Sequence, residues 1–239
     1  MLWVDYELPA DGFDIGSNTI FVGCAEIAVS TGLFFGRVGL IYDTKMDIEE
    51  TLKDLGPVEI GRLREAVIGL GPADWSAQRI RQNEYEVHRQ TESVVLVFTD
   101  GSGWPELEVK KEQGWDLLAD TAVPVMHGIL AAHYPAGGTI IRSMVAKLPA
   151  GNIIKPHVDR HPSFHAGHRI HVPVTTNPRV RFMIDGRPHQ LAVGRAYEVN
   201  NQKNHSVMNK GTEDRITFIF DYLPPEVVAR RPTALRDEH

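Results

Sequence analysis

The chain has 239 residues, 42% of them hydrophobic, which is enough to bury one sizeable core. Its 25 basic and 31 acidic side chains give a net charge of -6, which excludes a general electrostatic attraction to nucleic acid or anionic lipid. Cys24 is the only cysteine, so no intramolecular disulfide is possible, and the N-terminus lacks a signal-peptide pattern. We expect a cytoplasmic protein with no nucleic-acid or membrane partner.

Residues 1–138 predict a scaffold of mixed strands and helices. The fairly apolar stretch 20–42 is interrupted by Glu26 and Arg37. Each of these charges would cost about 2.5–3.5 kcal/mol at the centre of a bilayer. The stretch therefore predicts two buried strands and not a membrane span.

Three further elements are predicted within this scaffold. Apolar residues recur at roughly helical spacing over residues 47–70, which predicts one or two helices. A β-branched run over residues 93–99 predicts a buried strand. A second helical pattern covers residues 115–134, and Pro124 within it predicts a kink or a division.

From residue 139 onwards the pattern changes to short strands separated by turns. Asp185-Gly186 is a strong hairpin signal in this region. The spacing is typical of an antiparallel sandwich or barrel, and the segment 223–239 predicts a loosely held tail. The predicted strands cover residues 139–148, 153–159, 168–175, 179–184, 187–191, 196–199, 205–209 and 215–222.

A candidate metal site lies in this strand-rich region. His157 and Asp159 are separated by one residue, so on an extended strand they point to the same side, and His205 follows 48 residues later. Two histidines and one carboxylate on one face of a metal are typical of non-haem Fe(II) oxygenases. For an isolated His-x-Asp, structural or solvated histidines are the more frequent explanation. A zinc site formed by His161, His165 and His168 is a weaker alternative.

Cationic residues on neighbouring predicted strands add to this pattern. Arg215 begins the last predicted strand, where Ile216, Phe218 and Phe220 form one face and Arg215, Thr217 and Ile219 form the other. If the apolar face packs on helices, Arg215 faces the barrel interior, where its fork suits a carboxylate. The pair Arg169 and His171 follows the same alternation and could contact a carboxylate beside the metal.

The ordered motifs resemble the aspartyl/asparaginyl β-hydroxylase family over roughly residues 140–222. The resemblance is carried by residues 150–159, 169–171, His205 and 214–221. It implies a mainly β fold with flanking helices and a double-stranded β-helix core of the jelly-roll or cupin-like type. It also implies Fe(II) as cofactor and 2-oxoglutarate as cosubstrate. The implied metal ligands are His157, Asp159 and His205, with Arg215 anchoring 2-oxoglutarate and Arg169 and His171 as further contacts.

Asp159 is a departure that bears on the substrate. Animal members that act on growth-factor-like domains lack this carboxylate, whereas bacterial hydroxylases of free amino acids have it. The presence of Asp159 therefore weakens the inference that folded protein domains are the substrate. The length and the resemblance together predict a single dioxygenase domain in which residues 139–222 carry the site. With O₂ it would hydroxylate an amino acid, or an Asp or Asn residue in a peptide or protein. Candidate clamps for a substrate carboxylate are Arg79, Arg81 and Arg142.

Two alternative functions remain open. The first is a metal-binding cupin-like enzyme that does not use 2-oxoglutarate and has no need of Arg215. The second is a non-catalytic β-barrel binding module in which His157 and His205 are structural.

Overall fold

The computed structural model describes residues 50–77, 90–99, 104 and 107–228. The two strands predicted within residues 20–42, the proposed clamps Arg79 and Arg81, and most of the predicted tail lie outside the described residues.

The core is a double-stranded β-helix, as predicted. Its strands alternate between two antiparallel sheets along the chain, so that β4, β6, β9 and β11 lie in one sheet and β5, β7, β8 and β10 in the other. The first sheet has the order β1-β9-β6-β11-β4-β2-β3 and the second the order β5-β10-β7-β8. The core strands are β4 (Thr139–Leu148), β5 (Ile153–His157), β6 (His168–Thr175), β7 (Val180–Ile184), β8 (Arg187–His189), β9 (Arg195–Val199), β10 (His205–Asn209) and β11 (Arg215–Leu223).

Three strands and five helices surround this core within the described residues. Strands β1 (Leu52–Pro57), β2 (Glu92–Phe98) and β3 (Lys110–Lys111) extend the larger sheet at both edges. The helices are α1 (Gly61–Ile68), α2 (Pro72–Ser76), α3 (Gly114–His133), α4 (Pro162–Ala166) and α5 (Pro225–Val228). None of the helices in the described segments is both long enough and apolar enough to cross a bilayer.

The helical prediction over residues 47–70 is wrong in its first half. Residues Leu52–Pro57 form β1, which pairs antiparallel with β9 and has a register shift between Asp54 and Gly56. A short apolar run fits both the helical and the strand period, and here the hydrogen bonds offered by β9 decide the outcome. The second half is confirmed, because α1 buries Leu63 and Val67.

Helix α3 runs unbroken from Gly114 to His133, so Pro124 does not divide it. The helix covers the outer face of the larger sheet and buries Leu118, Met126 and Leu130 in the main core. At its first residue, a Cβ on Gly114 would clash with the backbone carbonyl of Val95 in β2. Glycine therefore permits the close approach of α3 to the sheet.

The alternation predicted for β11 is confirmed. Ile216, Phe218 and Phe220 belong to the core that packs under the helices. Arg215 and Ile219 point the other way and line a cavity between the two sheets. The predicted hairpin is also present, since Asp185 and Gly186 have φ angles of 50° and 75°. Positive values at both central residues are what a tight type I′ hairpin requires.

A buried carboxylate joins α3 to the outer face of the larger sheet. Glu198 of β9 accepts a hydrogen bond of 3.0 Å from the Tyr134 hydroxyl, and its other oxygen lies 2.5 Å from His168 Nδ1. Burial opposes ionisation of Glu198 most strongly, but His168 and Tyr134 outweigh it and hold the pKa of the carboxyl below its usual value. Glu198 is therefore ionised at neutral pH although it is buried.

Replacing Glu198 with glutamine is expected to lower the free energy of unfolding at pH 7 by about 1–3 kcal/mol, the contribution of a charged hydrogen bond. Because the folded-state pKa of Glu198 is lowered, its contribution is complete above the unfolded value of about 4.5 and is lost as pH falls further. Urea unfolding at pH 7 and at about pH 3 measures both effects. An equal difference between wild type and E198Q at the two pH values would contradict this assignment.

Candidate metal centre

His157 and His205 are cross-strand neighbours in the smaller sheet. His157 ends β5, His205 begins β10, and the antiparallel register places the two residues opposite each other. Their ring centroids are 4.2 Å apart. The backbone pairing of β5 with β10 therefore brings together two imidazoles that are 48 residues apart in sequence.

Asp159 joins the two histidines from the segment that follows β5. Its backbone N–H donates to the carbonyl of Asn201 at 3.2 Å, which ties this segment to the loop before β10. Its Oδ1 lies 3.8 Å from His157 Nε2. His157, Asp159 and His205 each place one potential ligand atom within 4.8 Å of the other two. In the described segments no other three His, Cys, Asp or Glu side chains come this close together.

The histidine rings are oriented for metal binding by the same type of contact. His157 Nδ1 lies 2.8 Å from the carbonyl oxygen of Lys155, and His205 Nδ1 lies 2.9 Å from that of Lys203. A carbonyl accepts only, so each Nδ1 carries the hydrogen and each Nε2 keeps its lone pair for a metal. Burial lowers the pKa of His205, which also favours the neutral ligand form. This donor set of two nitrogens and one carboxylate oxygen fits Fe(II).

The carboxylate of Asp159 is held by Arg169. Arg169 Nη1 donates to Asp159 Oδ2 at 2.7 Å, while its Nε and Nη2 form a two-pronged pair with Asp221 at 2.8 and 2.9 Å. Burial is the largest influence on Asp221 and opposes its ionisation, but Arg169 and Arg142 prevail and lower its pKa. Asp221 was not predicted as a site residue.

Arg142, which the sequence suggested as a substrate clamp, is instead part of this buried network. It is only 1% exposed and donates to the Thr99 carbonyl and to Ser163 Oγ, each at 3.1 Å. Its Nη1 is 3.4 Å from Asp221 Oδ2. The hypothesis that Arg142 binds the substrate is therefore not supported, because these contacts commit its guanidinium to the protein.

Arg215 lies inside the barrel, as predicted. It is 5% exposed, and its Nη2 has no hydrogen-bond partner among the described residues. Burial lowers its pKa to about 10. Arg215 lines the small cavity of about 40 Å³ that also contains His157 and His205. It lines a second cavity of about 370 Å³, which lies between the segments around Pro178 and Leu191.

His171 and Thr217 also face the interior. His171 lines the small cavity and stacks on Phe182, with ring centroids 5.8 Å apart and an interplanar angle of 22°. Thr217 is fully buried on the Arg215 face of β11, and its hydroxyl has no hydrogen-bond partner in the described segments. The sequence alternation places Thr217 on this face, but it does not predict that the hydroxyl lacks a partner.

The alternative zinc group is not assembled. His161 accepts a hydrogen bond from the Ser163 backbone at the start of α4, and His168 pairs with Glu198 on the outer face of the sheet. His165 lies in α4, and these three histidines do not meet the distance criterion for a metal site.

Comparisons with solved structures give distant similarities. The chain is similar to an oxidoreductase of the 2OG-Fe(II) oxygenase family from Burkholderia pseudomallei, with 10% identity, 69% of this chain and 77% of that chain covered, and a TM-score of 0.45. It is similar to the non-heme monooxygenase ThoJ in complex with nickel, with 13% identity, 74% of each chain covered and a TM-score of 0.48. A cupin 2 barrel protein from Salinispora arenicola has 16% identity, 37% and 67% coverage and a TM-score of 0.28.

The sequence comparisons are more specific. No curated protein matches the chain significantly. The family model described as aspartyl/asparaginyl beta-hydroxylase matches residues 73–225, which is more than half of the chain and includes every residue of the candidate metal centre. The chain therefore belongs to the aspartyl/asparaginyl β-hydroxylase family and is a hydroxylase.

Proposed function

We propose that the protein is an Fe(II)- and 2-oxoglutarate-dependent dioxygenase that hydroxylates an amino acid, or an Asp or Asn residue in a peptide or protein. The observation that carries the proposal is the position of Arg215. Its buried, unpartnered Nη2 belongs to a side chain that lines the same cavity as His157 and His205. A cation is therefore available for an anion that reaches the metal centre.

His157, Asp159 and His205 would hold Fe(II) through one face. When bound, the iron supplies the oxygen chemistry, for which amino-acid side chains have no equivalent. The remaining face would be open to cosubstrate and O₂. The contacts of Nδ1 with the Lys155 and Lys203 carbonyls fix the orientation of each imidazole and leave each Nε2 available for the metal.

Arg215 would pair with the distal carboxylate of 2-oxoglutarate. A guanidinium that is 5% exposed has lost most of its hydrating water. An incoming carboxylate would accept the hydrogen bonds that water accepts from an exposed arginine. Apolar residues of both sheets, including Phe182, Val207 and Ile219, line the cavity and would limit access of water to the metal. His171 and Thr217 are candidates for further hydrogen bonds to the cosubstrate.

The proposal differs from one rival in what it requires of Arg215 and from the other in what it requires of His157 and His205. A cupin-like enzyme without 2-oxoglutarate needs a buried cation beside its metal only when its own substrate is an anion. A binding module without metal does not require ligand atoms of two histidines and one carboxylate within 4.8 Å of one another. We propose that residues 139–222 carry the site within a single dioxygenase domain.

The test uses anaerobically purified full-length protein supplied with Fe(II), 2-oxoglutarate and then O₂. Succinate formation is measured against a panel of free amino acids and, in parallel, a panel of peptides containing Asp or Asn. Mass spectrometry of the same samples detects the gain of one oxygen atom. We expect succinate to form together with one hydroxylated product. Absence of 2-oxoglutarate binding, together with absence of succinate in every sample, would overturn the proposal.

A further inference from the structure

Four side chains of alternating charge, two buried and two partly buried, form a line that ends at the candidate metal centre. The order is Arg142, Asp221, Arg169 and Asp159, and successive members are in direct contact. Arg142 and Asp221 are 1% and 3% exposed. Two positive and two negative charges balance, so no member is an uncompensated charge in the interior.

The register of the larger sheet sets the centre of this line. Asp221 on β11 lies directly opposite Arg142 on β4 and directly opposite Arg169 on β6. The carboxylate therefore sits between two guanidinium groups on the strands to either side. The ring of Phe164 from α4 packs against both guanidinium groups. Its centroid lies 4.3 Å from the guanidinium carbon of Arg142 and 4.5 Å from that of Arg169.

The orientation of Arg169 follows from its bidentate pairing. Its Nε and Nη2 both donate to Asp221, and a planar guanidinium held at two points cannot rotate. Its Nη1 is consequently fixed 2.7 Å from Asp159 Oδ2. Asp159 Oδ1 is the oxygen on the side of His157 Nε2.

We propose that Asp221 is a positioning residue of the metal centre, which acts through Arg169 to hold the Asp159 carboxylate with one oxygen directed at the metal position. The inference rests on the proposed metal site and deepens it. It makes Arg169 the partner of the proposed metal ligand Asp159. The family resemblance had implied that Arg169 contacts the cosubstrate. Arg142 contacts the Asp221 carboxylate from β4, the neighbouring strand on the other side of β11.

The experiment is a double-mutant cycle on metal affinity, with Co(II) as the probe and without cosubstrate. Apoprotein is titrated with Co(II), and binding is followed by visible absorption and calorimetry. Asp221→Asn is expected to weaken Co(II) binding by about 10–100-fold, the usual effect of removing an outer partner of a metal ligand. In the Asp159→Ala background the same substitution is expected to have no further effect, because the ligand on which it acts is gone.

A purely structural role gives a different result. In that case Asp221→Asn would weaken Co(II) binding by the same factor with and without Asp159, and the inference would be overturned. Wild-type affinity in Asp221→Asn would also overturn the inference while leaving the metal site intact. A wild-type protein that binds no Co(II) would overturn the metal site and the inference together.

Two further variants complete the design. Asp54→Asn breaks a comparable two-pronged pair, with Arg195, on the exposed edge of the larger sheet, and it should leave Co(II) affinity unchanged. If Asp221→Asn does not fold, Arg169→Lys tests the same link, because lysine keeps the charge but loses the fork. Its effect should likewise disappear in the Asp159→Ala background.

Discussion

The protein with His205 replaced by alanine is expected to lose iron binding and 2-oxoglutarate turnover while remaining folded. Removal of an outer partner of a metal ligand already costs about 10–100-fold in affinity, so removal of a ligand should cost more than about 100-fold. His205 lies at the first residue of β10, and its side chain contacts the Lys203 carbonyl and the ring of His157. Its loss removes few contacts that stabilise the fold.

Anaerobic titration with Fe(II) measures the expected loss, and succinate formation measures turnover. His133→Ala is the matched control, because His133 is exposed at the end of α3 and lies outside the metal centre. The control should bind iron as the wild type does. If His205→Ala retained wild-type iron affinity, the proposed ligand set would be wrong.

Replacing Arg215 with methionine is expected to abolish 2-oxoglutarate binding without destabilising the protein. Two charge-assisted hydrogen bonds to a carboxylate contribute about 3–6 kcal/mol, so the affinity should fall by at least about 100-fold. Iron binding should persist, because Arg215 is not a member of the ligand group. The variant therefore separates loss of cosubstrate from loss of metal.

The stability of this variant follows from the lowered pKa of Arg215. Its folded-state value of about 10 lies below the ordinary pKa of an arginine, so folding disfavours the charged form. The contribution of Arg215 to stability is complete only above the unfolded pKa and is lost as pH falls through 10. At neutral pH the buried charge thus opposes folding. R215M should be at least as stable as wild type.

Thermal unfolding and calorimetry test both parts of this prediction. Added 2-oxoglutarate should raise the Tm of iron-loaded wild type and leave that of R215M unchanged. Arg187→Met is the control, since Arg187 is an exposed arginine on β8. A clear loss of stability in R215M would show that Arg215 has stabilising partners, and the assignment as cosubstrate anchor would lose its physical basis.

The strand-rich core was predictable because its signals are local. Turn residues separate the strands from residue 139 onwards, and strict alternation on β11 places Arg215 on the inner face. The helical prediction for Leu52–Pro57 failed for the opposite reason. That segment is a strand because it pairs with β9, which lies far away in sequence. The six residues alone carry no pattern that indicates this pairing.

Within the site, the same distinction holds. His157, Asp159 and His205 were predictable from residue type and spacing, and the structure brings them together. The role of Asp221 could not be predicted, because it depends on the register of β11 with both β4 and β6. One signal was present, since Asp221 is the only charged residue in the run from Ile216 to Leu223. A charge in such a strand predicts a buried partner but does not identify it.

The pairing of β5 with β10 has a consequence for how this centre can change. The two imidazoles are set by a sheet, whereas Asp159 comes from the segment after β5 and is placed by a backbone contact and an arginine. Replacing Asp159 with a small residue would therefore leave in place the β5–β10 pairing that sets the two histidines opposite each other. A single substitution in that segment would remove one proposed metal ligand and keep both histidines on their strands. The two histidines and the carboxylate are thus held by separate structural elements, so one part of the proposed ligand set can change while the other is kept.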